Sequence, residues 1–129
     1  MLLIQCTIGS RFPVNRASLR QTAEQFLTSR GITHAQVDIS VVGKRKITEL
    51  NENLLKHDGA TDVLSFPLHD KDQINDVPLP TTVPPHLGDV VISYPAVIAN
   101  AKKYGRRVDQ QLNFFVEHGL LHLLGYHHE

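Results

Sequence analysis

The chain has 129 residues, the length of one compact domain with a single core, which excludes a multi-domain machine. Its composition, 41% hydrophobic and 20% charged, excludes a disordered or fibrous chain. Thirteen Lys and Arg balance thirteen Asp and Glu, so any RNA contact must come from a local patch rather than from net charge. A lone cysteine, Cys6, supplies neither an internal disulfide nor a thiolate cage, so a metal would need His or carboxylate ligands.

The N-terminal half alternates predicted strands and helices. Hydrophobic spacing, caps and glycine stops predict a strand over 2–8, a helix from Asn15 or Ser18 to about Arg30, a strand over 34–42, and a helix from Lys44 to about Leu55. The second strand is the clearest, because Val37, Ile39 and Val41 alternate with polar residues, as in a half-buried strand.

The C-terminal half predicts a strand over 61–66, a Pro- and Asp-rich loop over 68–86, a strand over 87–93, a helix over 94–104 and a last helix over 108–124. This mixed order predicts one α+β domain in which helices cover a small mixed sheet. The chain shows neither a basic leader nor an apolar run of membrane-spanning length, so a cytoplasmic protein is expected.

Histidines are concentrated at the end of the chain, with four of the eight in the last twelve residues. The predicted helix over 108–124 is apolar on nearly every side, which is typical of a buried helix. His118 and His122, four residues apart, share one face with Cβ atoms roughly 5–6 Å apart. Gly125 can end the helix, and His128 follows three residues later. Three imidazoles with open remaining positions are the ligand set of a catalytic zinc site.

Two other interpretations of these histidines stay open. A single His on an apolar helix is more often a hydrogen-bonded core residue than a ligand, and 127–129 also fits a frayed polar tail. The spacing from Gly125 favours His128 over the adjacent His127 as the third ligand.

The histidine spacing matches the metzincin protease pattern except at one position. Gly119 stands where the protease has its general base, a Glu directly after the first His. Glu117 points about 100° away around the helix and cannot replace it. A peptidase is therefore the minor interpretation. A zinc ion can still lower the pKa of bound water to about 7, which suits hydrolysis of a phosphodiester.

Three ordered motifs carry a resemblance to a known family. They are Thr61-Asp-Val-Leu-Ser-Phe-Pro67, Leu87-Gly-Asp-Val-Val-Ile-Ser93 and His118-Gly-Leu-Leu-His-Leu-Leu-Gly-Tyr-His-His128. In these the chain resembles the YbeY endoribonucleases. The resemblance implies a single zincin-like α+β domain over 1–129 with its metal site on the C-terminal helix. It implies one Zn²⁺ per chain, held by His118, His122 and His128.

By the same resemblance, the activity is zinc-dependent cleavage of single-stranded RNA. The task is maturation of the small-subunit 16S rRNA 3′ end, with a part in ribosome quality control. The expected partners are single-stranded rRNA and the small subunit or its assembly factors, with no membrane, and the chain is expected to be a monomer or weak oligomer. The alternatives are a metal-stabilised ribosome-assembly factor with little catalysis and a zincin-type peptidase relative.

The chain departs from the family pattern at two positions. His127 replaces an Asp before the third ligand, and Leu55 replaces an Arg that faces the metal cleft. Lys56 and His57 are the nearest candidates to replace that Arg at a phosphate, although a lysine lacks its bidentate fork. Ser65 is a further catalytic candidate if its strand borders the cleft, and otherwise an ordinary outward polar residue.

Three remaining features have open interpretations. Asp89 either fixes a turn or orients a ligand histidine. The basic clusters 44–46 and 102–107 are solvated helix faces unless they flank the cleft, where they would bind phosphates and make RNA affinity fall with salt. Aromatic residues make up 6% of the chain, which indicates no aromatic-rich stacking platform and no base-specific recognition.

Overall fold

A computed structural model of the chain describes residues 1–54, 63–67 and 84–125. These residues form the strands and helices β1 (Leu2–Ile8), α1 (Arg16–Ser29), β2 (Ala35–Val42), α2 (Lys44–Leu54), β3 (Val63–Pro67), β4 (His86–Ser93), α3 (Tyr94–Tyr104) and α4 (Val108–Leu123). The predicted elements are confirmed in type and order, with ends that differ by one or two residues. Of the predicted loop over 68–86, residues 68–83 lie outside the described residues, and His86 belongs to β4 rather than to the loop. No helix in the described ranges is long and apolar enough to cross a bilayer.

The described strands make one mixed sheet in the order β1-β2-β4-β3. The pairs β1–β2 and β2–β4 are parallel, and β3 is antiparallel to β4. The sheet and its covering helices confirm the predicted small α+β architecture. Strand β4 lies between β2 and β3 and is therefore an inner strand of the sheet. Its side chains alternate between the two faces of the sheet.

The two faces of the sheet differ in what covers them. On one face Val37, Ile39, Val90 and Ile92 are fully buried in the main core, which α1, α3 and α4 complete. On the other face a small cluster joins Ile47 of α2 to residues of β3 and β4. Beyond that cluster the second face carries polar side chains that include Asp38, Ser40 and Asp89, because side chains of a strand alternate between the two faces.

Local signals explain where the helices begin and end. The Asn15 side chain accepts a hydrogen bond from the Ser18 amide at 3.0 Å, which settles the N-cap of α1 in favour of Asn15. Gly105 ends α3 in the left-handed conformation, with φ of 65°. The amides of Gly105 and Arg106 then donate to the carbonyls of Lys102 and Ala101, as in a Schellman motif.

Candidate metal centre

Helix α4, which carries the histidine pair, has a long buried face, in line with the burial that its apolar sequence predicts. Val116 and Leu120 have no exposed surface, and Leu123 is 1% exposed. The helix packs on β3 and β4 and on helices α1 and α3. A buried and well-packed helix holds its backbone fixed, so the side chains that it directs toward the surface have defined positions.

Gly119 is where α4 comes closest to the sheet. A Cβ atom at this position would lie 2.5 Å from Cγ1 of Val90 and 3.4 Å from Cγ1 of Val63. Val90 is fully buried and β-branched, so it cannot easily move aside. The position that holds the general base in metzincins therefore lies inside the contact between helix and sheet in this fold. A Glu there would not fit, which removes the support for the peptidase interpretation.

The two helical histidines lie side by side. The ring centroids of His118 and His122 are 4.6 Å apart with an angle of 40° between the ring planes, and both residues are half-buried. Zinc binds imidazole nitrogen at about 2.0–2.1 Å, so two rings this close can share one ion. The convergence of these two predicted ligands fits a metal with nitrogen donors.

Ser65 ties this part of α4 to strand β3. Its hydroxyl donates a hydrogen bond to the carbonyl oxygen of Gly119 at 3.1 Å. Gly119 follows His118 directly, so this bond fixes the backbone beside the first histidine. The described geometry thus gives Ser65 a positioning contact, and a direct catalytic role for its hydroxyl stays a prediction.

A cleft of about 450 Å³ opens beside His118. Its lining comes from the start of β3, the end of α3 and the outer side of α4. The ring of Phe114 stacks on His118 with centroids 6.1 Å apart. Arg106, from the second predicted basic cluster, also lines the cleft, whereas the cluster 44–46 begins α2 on the other face of the sheet.

A second group of metal-type ligands lies on that other face. Nε2 of His86 is 3.2 Å from Oδ2 of Asp38 and 3.7 Å from Oδ1 of Asp89. One ligand atom from each of the three residues lies within 4.8 Å of the others, so the group could hold a metal ion. Oδ1 of Asp38 is buried and has no hydrogen-bond partner among the described residues, which also fits a cation.

The strand pairing explains how this group forms. Asp38 and Asp89 are register partners on the parallel strands β2 and β4. Residues three apart, such as His86 and Asp89, face opposite sides of a regular strand, but a register shift opposite Gln36 and Val37 adds one residue to β4 here. Gly88, with φ of 145°, provides the backbone conformation that this bulge needs.

Burial and a neighbouring carboxylate change the acidity of Asp89. Burial raises the pKa of Asp89, and the negative charge of Asp38 raises it further, while His86 lowers it. Asp89 is a candidate on sequence grounds, whereas the sequence does not identify Asp38 and His86 as its neighbours. The signal in the sequence is that Asp38 is a charged residue on the polar side of the alternating strand β2. Only the pairing of β2 with β4 brings it beside Asp89.

Five of the residues singled out in the sequence lie outside the described residues. They are Leu55, Lys56, His57, His127 and His128. Their assignments, including His128 as the third ligand, stay predictions.

The sequence is similar to one known protein family over most of its length. A family model described as Endoribonuclease YbeY matches residues 8–129. Endoribonuclease YbeY of Anaeromyxobacter sp. is 40% identical over 125 residues, which cover 95% of this chain and 60% of the relative. Endoribonuclease YbeY of Dehalococcoides mccartyi is 37% identical over 123 residues, which cover 90% of this chain and 77% of the relative.

A solved structure is similar over the whole chain. The solution structure of TM1509 from Thermotoga maritima has a TM-score of 0.63 and 29% sequence identity, and covers 100% of this chain and 75% of that one. The chain spans 60%, 34% and 53% of the length of three curated relatives from Anaeromyxobacter and Myxococcus. The family model covers nearly all of the chain, and the curated relatives agree with it. The chain therefore belongs to the endoribonuclease YbeY family.

Proposed function

We propose that this chain is a metal-dependent endoribonuclease domain that cleaves single-stranded RNA. The observation that carries the proposal is the pairing of His118 and His122, with ring centroids 4.6 Å apart, beside an open cleft. Family membership supports the same activity, because the relatives are named endoribonucleases. The proposal treats 1–129 as one zincin-like, YbeY-like metallohydrolase domain with its metal site on the C-terminal helix.

The proposed metal is one Zn²⁺ per chain, with His118, His122 and His128 as its ligands. Imidazole donors suit zinc, and three protein ligands leave a position open for substrate. When bound, such an ion supplies Lewis acidity toward a phosphodiester. The chain itself contributes the fixed backbone of α4. In this proposal the hydrogen bond from Ser65 to the Gly119 carbonyl holds the part of α4 that carries His118 against β3.

The RNA phosphate needs positive charge near the metal. We propose Lys56 or His57 for this role, because they are the residues nearest to the family Arg that Leu55 replaces. Arg106 supplies a further guanidinium at the cleft. Phosphate contacts of this kind are electrostatic, so RNA affinity is expected to fall as salt rises.

The biological task in this proposal is processing of the small-subunit 16S rRNA 3′ end in the cytoplasm, with a part in ribosome quality control. The proposed partners are single-stranded rRNA and the small subunit or its assembly factors, for a chain that is a monomer or weak oligomer. The three sequence motifs support this finer assignment. Leu55 and His127 favour a second candidate, a metal-stabilised assembly factor with little catalysis.

The test is cleavage of a single-stranded RNA by the purified chain, with and without chelator, alongside elemental analysis of the protein. We expect near-stoichiometric zinc, cleavage that chelator abolishes, and a loss of at least about 100-fold in the His122→Ala variant. His86→Ala is the matched control, because it removes an imidazole from the opposite face of the sheet. Unchanged cleavage by His122→Ala would defeat the enzyme proposal, and bound zinc without cleavage would favour the assembly factor.

A further inference from the structure

Two large aromatic side chains are exposed where α3 meets α4. Tyr104, at the end of α3, is 56% exposed, and Phe114, in the second turn of α4, is 49% exposed. Both rings line the cleft beside His118. Exposed aromatic rings grouped at a concave surface are typical of a binding site rather than of a bare surface.

Arg106 lies between these two rings. Its Cζ atom is 5.5 Å from the centroid of Tyr104 and 5.8 Å from that of Phe114, within the range of cation–π contacts. The three side chains, Tyr104, Arg106 and Phe114, are referred to below as the aromatic–arginine cluster. The cluster spans the junction of α3 and α4, with Arg106 in the turn between the two helices.

The guanidinium of Arg106 is held in place by the surrounding structure. The Arg106 amide donates to the Ala101 carbonyl at 2.8 Å, in the Schellman motif that Gly105 permits. Nη1 of Arg106 donates to Oε1 of Gln111 at 3.1 Å, and Gln111 is only 2% exposed. An arginine anchored at both backbone and side chain loses less entropy when a ligand binds.

The position and the charge of the cluster indicate its ligand. Phe114 stacks on His118, so the cluster continues directly from the proposed metal ligands. Lys102, Lys103 and Arg107 are exposed and adjoin the cluster in the chain, and Nζ of Lys103 is 5.3 Å from the Tyr104 ring. Flat rings with surrounding cations match a nucleobase and its phosphate, whereas an apolar peptide would match only the rings.

We propose that the aromatic–arginine cluster is a stacking subsite for one nucleotide of single-stranded RNA next to the cleavage position. This inference rests on the proposed endoribonuclease function and specifies how its substrate is held. The base stacks on Phe114 or Tyr104, and Arg106 contacts the adjoining phosphate. Every base has a π face, so the subsite tolerates any sequence. A duplex keeps its bases stacked inside, so the subsite also favours single strands.

The test measures RNA binding apart from cleavage. The full chain, kept in chelator so that it does not cut, is titrated against a fluorescent single-stranded RNA, and affinity is read by anisotropy. We expect Phe114→Leu and Tyr104→Leu each to weaken binding about 5- to 20-fold, because leucine keeps apolar contact but removes stacking. Ile98→Ala is the control, since Ile98 is a 44% exposed apolar residue of α3, the helix that carries Tyr104, and does not line the cleft.

An RNA with abasic nucleotides separates stacking from general contact. The unmodified protein should bind it about 5- to 20-fold more weakly than normal RNA, and the two leucine variants should no longer distinguish the two RNAs. Arg106→Gln should make the salt dependence shallower by about 0.7 in the log–log slope, the contribution of one phosphate contact on a single strand. Thermal melting of each variant checks that the fold is intact.

Failure of this inference is distinguishable from failure of the proposed function. If the chain cleaves RNA but folded leucine variants bind normal RNA as tightly as the unmodified protein, the stacking subsite is wrong. An abasic RNA that binds as tightly as normal RNA would overturn it equally. If binding follows these expectations but no metal restores cleavage, the subsite stands and the nuclease proposal falls.

Discussion

Two groups of metal-type ligands lie on opposite faces of the same sheet, and they are built in different ways. His118 and His122 are one helical turn apart on a buried helix, with ring centroids 4.6 Å apart. Asp38, His86 and Asp89 come from two neighbouring strands, with Nε2 of His86 3.2 Å and 3.7 Å from the two carboxylates. The first group is local in sequence, and the second depends entirely on strand pairing.

The donor chemistry of the two groups also differs. Neutral imidazoles on α4 leave a bound cation with its positive charge available to polarise a substrate. In the other group, burial and the nearby negative charge of Asp38 raise the pKa of Asp89, and a bound cation would neutralise the paired carboxylates. A cation on the helical pair would therefore be the better Lewis acid, while the strand group would neutralise more of the charge of a cation.

Stabilisation by zinc distinguishes which of the two groups binds the ion. Zinc at about a thousand times its dissociation constant should stabilise the chain by about 4 kcal/mol, as measured by denaturant unfolding. We expect His122→Ala to abolish this gain and Asp38→Asn to retain it. The reverse pattern would place the zinc site in the strand group, on the other face of the sheet.

The next effect concerns the contact that holds the helical pair. Gly119→Ala places a methyl group against Val90, and overpacking of this kind costs about 1–3 kcal/mol, offset partly by the better helix propensity of alanine. Chemical denaturation should show a net loss of about 1–2 kcal/mol. The double variant Gly119→Ala with Val90→Ala should be less destabilised than the sum of the two single variants. Simple additivity would mean that the close contact does not limit position 119.

A smaller effect is expected at Ser65. Ser65→Ala removes the hydrogen bond to the Gly119 carbonyl and should cost about 1 kcal/mol in unfolding free energy. It should also weaken zinc binding, because the backbone beside His118 loses its tie to β3. Ser40→Ala, on the opposite face of the sheet, is the matched control for zinc affinity. Full zinc affinity in Ser65→Ala would argue against a positioning role.

The smallest effect tests the strand group by pH. The raised pKa of Asp89 means that the folded state binds its proton more tightly than the unfolded state, so stability is lost as pH rises through that folded pKa. In chelator, Asp89→Asn should therefore stabilise the chain by about 0.5 kcal/mol at pH 7, a value kept small by solvent screening. Thermal melts should show the gain disappear toward about pH 3, where the Asp89 carboxyl is itself neutral. A gain that persists there would have another cause.

The same contrast between local and non-local structure decides what the sequence reveals. Asn15 and Gly105 mark the ends of their helices by local chemistry, and the alternation over β2 appears directly in its residues. The spacing of His118 and His122 likewise predicts their shared face. These features need only the geometry of one element.

What the sequence does not reveal depends on contacts between elements. The steric role of Gly119 arises from its contact with Val90 on another strand. Tyr104 and Phe114 meet only because α3 and α4 pack together, so a count of aromatic residues indicates no platform. Strand β4 begins at His86 rather than Leu87, because the bulge pairs His86 with Gln36.

The bulge at Gly88 makes the second face unusually sensitive to the conformation of a single residue. If the bulge were lost with no change in chain length, His86 would stand three residues before Asp89 in a regular strand and would turn away from both carboxylates, while Val90 would keep its place under Gly119. A side chain at position 88 disfavours the φ of 145°, so one substitution in evolution could erase the strand group and spare the histidine pair. The reverse is harder, since loss of register at Val90 would also carry Asp89 to the wrong side. Variation at position 88 among relatives is thus a natural experiment that separates the histories of the two groups.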